Sequence, residues 1–177
     1  MSKQKSILLA INILGGCAVL GSYAWGLLTH PGTAEILWGG IPLKAVPFYV
    51  LSMGLAAVGY FIFTLYLLFV LDPTAVKINT RAGFSGFNFL YLLILIPSAL
   101  WIPLVYAMLE NPGNLTWLAI RIVLMLVGLG GLGMLSALLS IQPRSRPLLA
   151  AFIGCLFFCI QTVLLDALVW PNFFVLP

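Results

Sequence analysis

Five uninterrupted apolar runs, each about 23–25 residues long, leave this chain few folds to adopt. They extend over approximately 6–28, 47–71, 87–109, 115–139 and 148–170. A helix rises about 1.5 Å per residue and a bilayer's hydrocarbon core is about 30 Å thick, so roughly 20 apolar residues make one crossing. Strands do not fit, because the runs lack the alternation and regular turns of a transmembrane barrel. In hydrocarbon every backbone N–H and C=O must be satisfied within the structure, which a helix does by itself. The expected fold is all-α. We read a polytopic membrane protein in which a five-helix transmembrane bundle forms a single domain over residues 1–177.

Composition agrees. Only 7% of the residues are charged and 63% are hydrophobic, against about 25% and 45–50% in soluble domains. With eight Lys and Arg, four Asp and Glu and one His, the chain cannot coat a water-facing globule, and its mean hydropathy is +1.17. A soluble enzyme, a disordered chain and a free-standing nucleic-acid binder are excluded. The net charge of +4 would suit phosphates, but the basic residues come in pairs between apolar runs instead of clustering on one face.

That distribution is a topology signal. Lys3, Lys5, Lys77, Arg81, Arg144 and Arg146 fall on one side, and Lys44 and Arg121 on the other. The positive-inside rule then puts the N-terminus in the cytoplasm, or its organellar equivalent, and the C-terminus opposite. The membrane is read as a bacterial inner membrane or an organellar one. Lys3 and Lys5 before an apolar stretch, with Ser22-Tyr23-Ala24 after it, also have the layout of a secretory signal peptide; we read the run as a retained first span. The breaks carry helix-stop chemistry: Thr29-His30-Pro31-Gly32, Asp72-Pro73, Asn111-Pro112-Gly113-Asn114 and the 142–147 segment with Pro143 and Pro147. Asn114 is the expected N-cap of the fourth helix.

Polar groups inside the spans are the informative ones, because each is costly in hydrocarbon and needs a partner. Arg121 lies about six residues into the fourth run and Asp166 about five before Pro171, hence roughly 9 Å and 7–8 Å below the same end. A short loop makes these helices antiparallel neighbours, so the two charges are expected to pair. The pair serves either as a clamp on helix register or as the polar lining of a pocket, where a guanidinium holds a carboxylate or phosphate. Pro97 and Pro103 on the third helix flank Trp101 and precede Tyr106, and interior prolines that kink a helix open space within a bundle. The candidate ligand-binding residues are therefore Trp101, Tyr106, Arg121 and Asp166. No catalytic set emerges, since nothing spaces His30, Glu35 and Glu110 as an acid–base pair. No metal-ligand spacing is present, and the sequence leaves any cofactor open. Cys17, Cys155 and Cys159 read as small buried hydrophobes. Ala18, Ser22 and Gly26, and Gly133 and Ala137, form small-residue ridges suited to helix contact.

The segment Leu100-Trp101-Ile102-Pro103-Leu104-Val105-Tyr106 resembles the third-helix Trp/Pro/aromatic segment of the TspO (tryptophan-rich sensory protein, translocator) family. The resemblance implies a small five-helix chain that binds porphyrins and sterol-like ligands. The segment entering the second helix, Ile41 to Tyr49, departs from that family's Pro- and Trp-rich signature.

Three functions follow as expectations. The first is a protein that binds, senses or carries a lipophilic small molecule with a polar end, in an outer-leaflet pocket of the bundle. The second is an accessory or assembly subunit of a larger membrane complex, and the third a lipid-modifying membrane enzyme using His30, Glu35 or Glu110. The partners implied are membrane lipid, a lipophilic small molecule, and a membrane protein or a second copy of this chain.

Overall fold

Ser2 starts the first helix, its side chain accepting the Lys5 backbone N–H. The computed structural model describes residues 2–74 and 83–174. Helix α1 spans Lys3–Thr29, and a short 3₁₀ turn follows at Ala34–Trp38. Helix α2 spans Val46–Val70, α3 Ser85–Glu110, α4 Asn114–Leu139 and α5 Arg146–Phe173. All five are long and apolar enough to cross a membrane, and no strand occurs among the described residues.

The helix ends follow local chemistry. Pro47 sits in the first turn of α2, where its missing N–H costs nothing. At the other end of α2, Asp72 Oδ1 accepts from the Thr74 N–H at 2.9 Å and the Thr74 hydroxyl at 2.8 Å. Those bonds, the backbone one first, hold its carboxyl below the usual carboxylate range. Asn114 is not the N-cap of α4. Extended Gly113 takes that place, and Asn114 is the first helical residue. Ser145 caps α5 by accepting the Leu148 N–H, with Pro147 behind it. Lys3, Lys5, Arg144 and Arg146 lie at what we call the basic end of the bundle; Lys77 and Arg81, which the topology reading also used, lie outside the described residues. Trp38, Trp117, Trp170 and Phe174 mark the opposite, aromatic end.

Two helices widen near a terminus. In Tyr66–Val70 of α2 and Ile160–Val169 of α5 the backbone bonds shift to the i→i+5 pattern of a π-helix. Such segments are rare and often mark functional positions. Helix α3, by contrast, runs unbroken through Pro97 and Pro103. The Ser98 hydroxyl donates to the Ile94 carbonyl beside Pro97 at 2.7 Å.

Helix α1 packs along α3, α2 along α5, and α4 bridges α3 and α5. Glycines set the closest approaches. A Cβ on Gly154 would stand 2.8 Å from the Gly59 carbonyl oxygen, so α2 and α5 meet backbone to backbone. A Cβ on Gly26 would meet Tyr106 Cε2 at 2.6 Å, and one on Gly130 would meet Ile94 Cγ1 at 2.7 Å. Of the ridge residues expected to mark contact, Gly26 is buried while Ala18 is exposed. The buried core divides along the bundle axis. One part, around Phe63, Leu67, Phe87, Tyr91 and Met134, fills the basic half. The other, around Tyr49, Val105, Met108, Ile120 and Trp170, fills the aromatic half.

Candidate functional site

Helix α1 packs on α3 and α2 on α5, with α4 bridging α3 and α5, and a seam runs between the α1–α3 and α2–α5 pairs. Helix α1 meets the second pair chiefly at the basic end, through Tyr66–Val70. In the basic half, polar side chains close the seam. The Tyr60 hydroxyl of α2 donates to Asn12 Oδ1 of α1 at 2.6 Å, and the hydroxyls of Thr64 on α2 and Tyr91 on α3 bond at 2.6 Å.

In the aromatic half the polar groups facing the seam are not closed in this way. Asp166 and Gln161 come from the π-helical part of α5. Their five-residue spacing is one turn of an i→i+5 helix, so the two side chains stack, and Gln161 Nε2 donates to Asp166 Oδ1 at 2.8 Å. Gln161 is only 5% exposed, and its Oε1 is buried with no donor. Tyr23 of α1 and Tyr49 of α2 both lie within electrostatic reach of the Asp166 carboxylate. The Tyr49 hydroxyl donates to the Leu165 carbonyl at 3.4 Å. Trp101 of α3 lies against Tyr23, ring centroids 5.9 Å apart, and against Trp170 across the seam at 5.7 Å. Its indole N–H is buried and has no acceptor among the described residues. A buried donor or acceptor left unmade costs about 1–3 kcal/mol, so two in one neighbourhood ask for a partner. Tyr23, Trp101 and Asp166 are half-buried, so this cluster borders the surface of the bundle.

The Arg121–Asp166 pair expected from the sequence is not formed. Arg121 is exposed, on the outward stripe of α4 with Ile122, Met125 and Leu129. Among the described residues the single ion pair joins other groups. Equal depth on neighbouring helices is insufficient when one helix is rotated away. Tyr106 also stands apart from the Trp101 and Asp166 cluster. It is 2% exposed, stacked on His30 with centroids 3.9 Å apart, and its hydroxyl lies 2.9 Å from the Thr33 hydroxyl. Of the four candidate residues, the structure thus brings Trp101 and Asp166 into one neighbourhood and leaves Tyr106 and Arg121 outside it. Tyr23, Tyr49 and Gln161 were missed. The signal for Gln161 was available, since it is a polar residue deep in an apolar run, five positions from Asp166.

At the aromatic end the fold also assembles groups that sequence spacing kept apart. His30 Nε2 lies 3.2 Å from Glu110 Oε1, while Nδ1 lies 3.1 Å from the Gly26 carbonyl. This contact ties the end of α1 to the end of α3. Because Glu110 is 64% exposed, the pair is screened by solvent, and exposed ion pairs contribute about 0–1 kcal/mol. Glu110→Gln is expected to lower unfolding stability in mixed micelles by less than about 1 kcal/mol; a loss of more than about 2 kcal/mol would show that the pair anchors the two helices.

No family model matches the chain, and no curated protein or solved structure is significantly similar to it. The TspO likeness is confined to the seven residues 100–106.

Proposed function

We propose that this protein binds a lipophilic small molecule with a polar end, held in the aromatic half of the seam. One observation carries the reading: Asp166 accepts from Gln161 Nε2, while the Gln161 carbonyl oxygen and the Trp101 N–H are buried with no hydrogen-bond partner among the described residues, and the proposed crevice lies at these groups. A lipid-soluble ligand fits such a place, its apolar body among acyl chains and aromatic rings and its polar end on these groups. In the topology proposed from the basic residues, the basic end faces the cytoplasm and the crevice opens toward the other leaflet. The ligand then arrives sideways from the membrane. The membrane itself is proposed to be a bacterial inner membrane or an organellar one.

Native mass spectrometry from mild detergent tests this. Wild-type protein is expected to carry a small-molecule mass that Trp101→Phe loses, with melting temperature unchanged or raised. Removing an orphaned polar atom relieves a cost of about 1–3 kcal/mol, whereas removing a structural bond destabilises. A parallel fall in melting temperature would instead make this residue structural. Bare wild-type protein, freshly extracted from its native membrane, would overturn the proposal.

A second reading, an accessory subunit of a membrane complex, draws on α1. Only 6% of its apolar window is buried, and Gly16 and Gly21 have no atom within 4 Å of a Cβ position. Small residues on an open helix face suit close helix contact in lipid. The same mass spectra decide this, through a co-purifying protein mass.

A further inference from the structure

We propose that the polar end taken by this crevice is a protonated amine; the inference rests on the ligand-binding reading above and makes it specific. Asp166 is the one carboxylate that the five helices hold away from their ends, for Glu35 lies in the 3₁₀ turn, Asp72 beyond α2 and Glu110 on the last residue of α3. An ionised carboxylate at that depth requires a cation or a set of donors. The protein supplies one donor, the Gln161 amide at 2.8 Å on Oδ1. The second carboxylate oxygen accepts no hydrogen bond among the described residues.

No basic side chain of the described residues takes the remaining place. Arg121 is exposed and without a carboxylate partner, and His30 is committed to Glu110. The surroundings are those that receive a cation. Trp101 stands against Tyr23 with ring centroids 5.9 Å apart, and the Tyr49 hydroxyl donates to the carbonyl of Leu165, the chain neighbour of Asp166. The faces of such rings carry negative charge and attract an ammonium. The unpartnered Gln161 Oε1, one π-turn from Asp166, provides a second acceptor for its N–H groups. An anionic end would meet Asp166 with no positive charge to offset it. A neutral hydroxyl would satisfy Gln161 but leave the carboxylate uncompensated. The ligand class is therefore a lipophilic amine.

Three probes with one chain length separate the possibilities: dodecylamine, dodecanol and dodecanoate. Binding is measured on the full chain in phosphatidylcholine nanodiscs, with empty discs subtracted. The amine is expected to bind wild-type protein at least about tenfold more tightly than the alcohol, as a charge-assisted contact with the carboxylate requires, and dodecanoate more weakly than both. Asp166→Asn is expected to bring the amine-to-alcohol ratio close to unity, and Arg121→Gln to leave it unchanged. The wild-type ranking does not depend on how well any variant folds. If the alcohol binds wild-type protein as tightly as the amine, or Asp166→Asn keeps the preference, the amine inference is overturned while the crevice stands as a binding site. If none of the three binds, the binding-site reading falls and this inference falls with it.

Discussion

Gly154→Ala is expected to be among the most costly single-methyl additions to the helices of this protein. The added carbon would stand 2.8 Å from the Gly59 carbonyl oxygen and 2.9 Å from Gly59 Cα, both backbone atoms that no rotamer change can move. Overpacking costs about 1–3 kcal/mol, and an obstacle of this kind belongs at the upper limit. In a membrane, helices gain little by leaving lipid for each other, so close packing carries much of their association. Separating α2 from α5 therefore forfeits the contact along their whole length. Gly59→Ala is expected to behave alike, since its Cβ would land on the Gly154 carbonyl. Gly54 provides the control, with no atom within 4 Å of its Cβ position; there alanine is expected to be neutral or to stabilise by up to about 1 kcal/mol through helix propensity. Unfolding in mixed micelles with increasing denaturing detergent measures all three. Equal effects at positions 54 and 154 would show that the helices do not cross at these glycines.

Tyr106→Ala is expected to be comparably damaging, for a different reason. Tyr106 is 2% exposed, stacks on His30, and lies against Gly26, where a Cβ would come within 2.6 Å of its ring. Truncation leaves a ring-sized void bordered by α1 and α3, and large-to-Ala changes of buried aromatics cost about 3–5 kcal/mol. Tyr106→Phe keeps the ring and removes only the hydroxyl that meets Thr33. Thr33 retains its bond to the His30 carbonyl, so this change is expected to cost about 1 kcal/mol. A small effect from both substitutions would mean that the ends of α1 and α3 are not held together through this ring.

Much of the architecture could be read before any coordinates. Helix count, order and approximate ends followed from run length and from loop residues such as Asp72, Pro73, Pro112 and Ser145, because these act within a few residues of themselves. The details that went astray are short-range competitions, as where extended Gly113 takes the cap expected at Asn114. The candidate site was legible only in part. Asp166 stood out as a charge in an apolar run and Trp101 by its flanking prolines, whereas nothing in the sequence set Tyr23 and Tyr49 apart as site residues. The π-helical stretch that stacks Gln161 on Asp166 left no composition signal, since its residues are as apolar as the helix around it.

The amino-acid order by itself determined that five apolar segments of membrane length exist and where they stop. Only the tertiary structure decided how each is turned about its own axis, and with it that Arg121 faces outward while Asp166 lies near Tyr23 and Trp101. The reason is the solvent. A water-soluble helix declares its buried side by contrast with a polar one, but here exposed Leu118, Met125 and Leu129 are as apolar as buried Ile120, Leu124 and Val127. Rotation is set instead by where backbones can touch, at Gly59 against Gly154 and at Gly26 against Tyr106, and those are matches between distant parts of the chain.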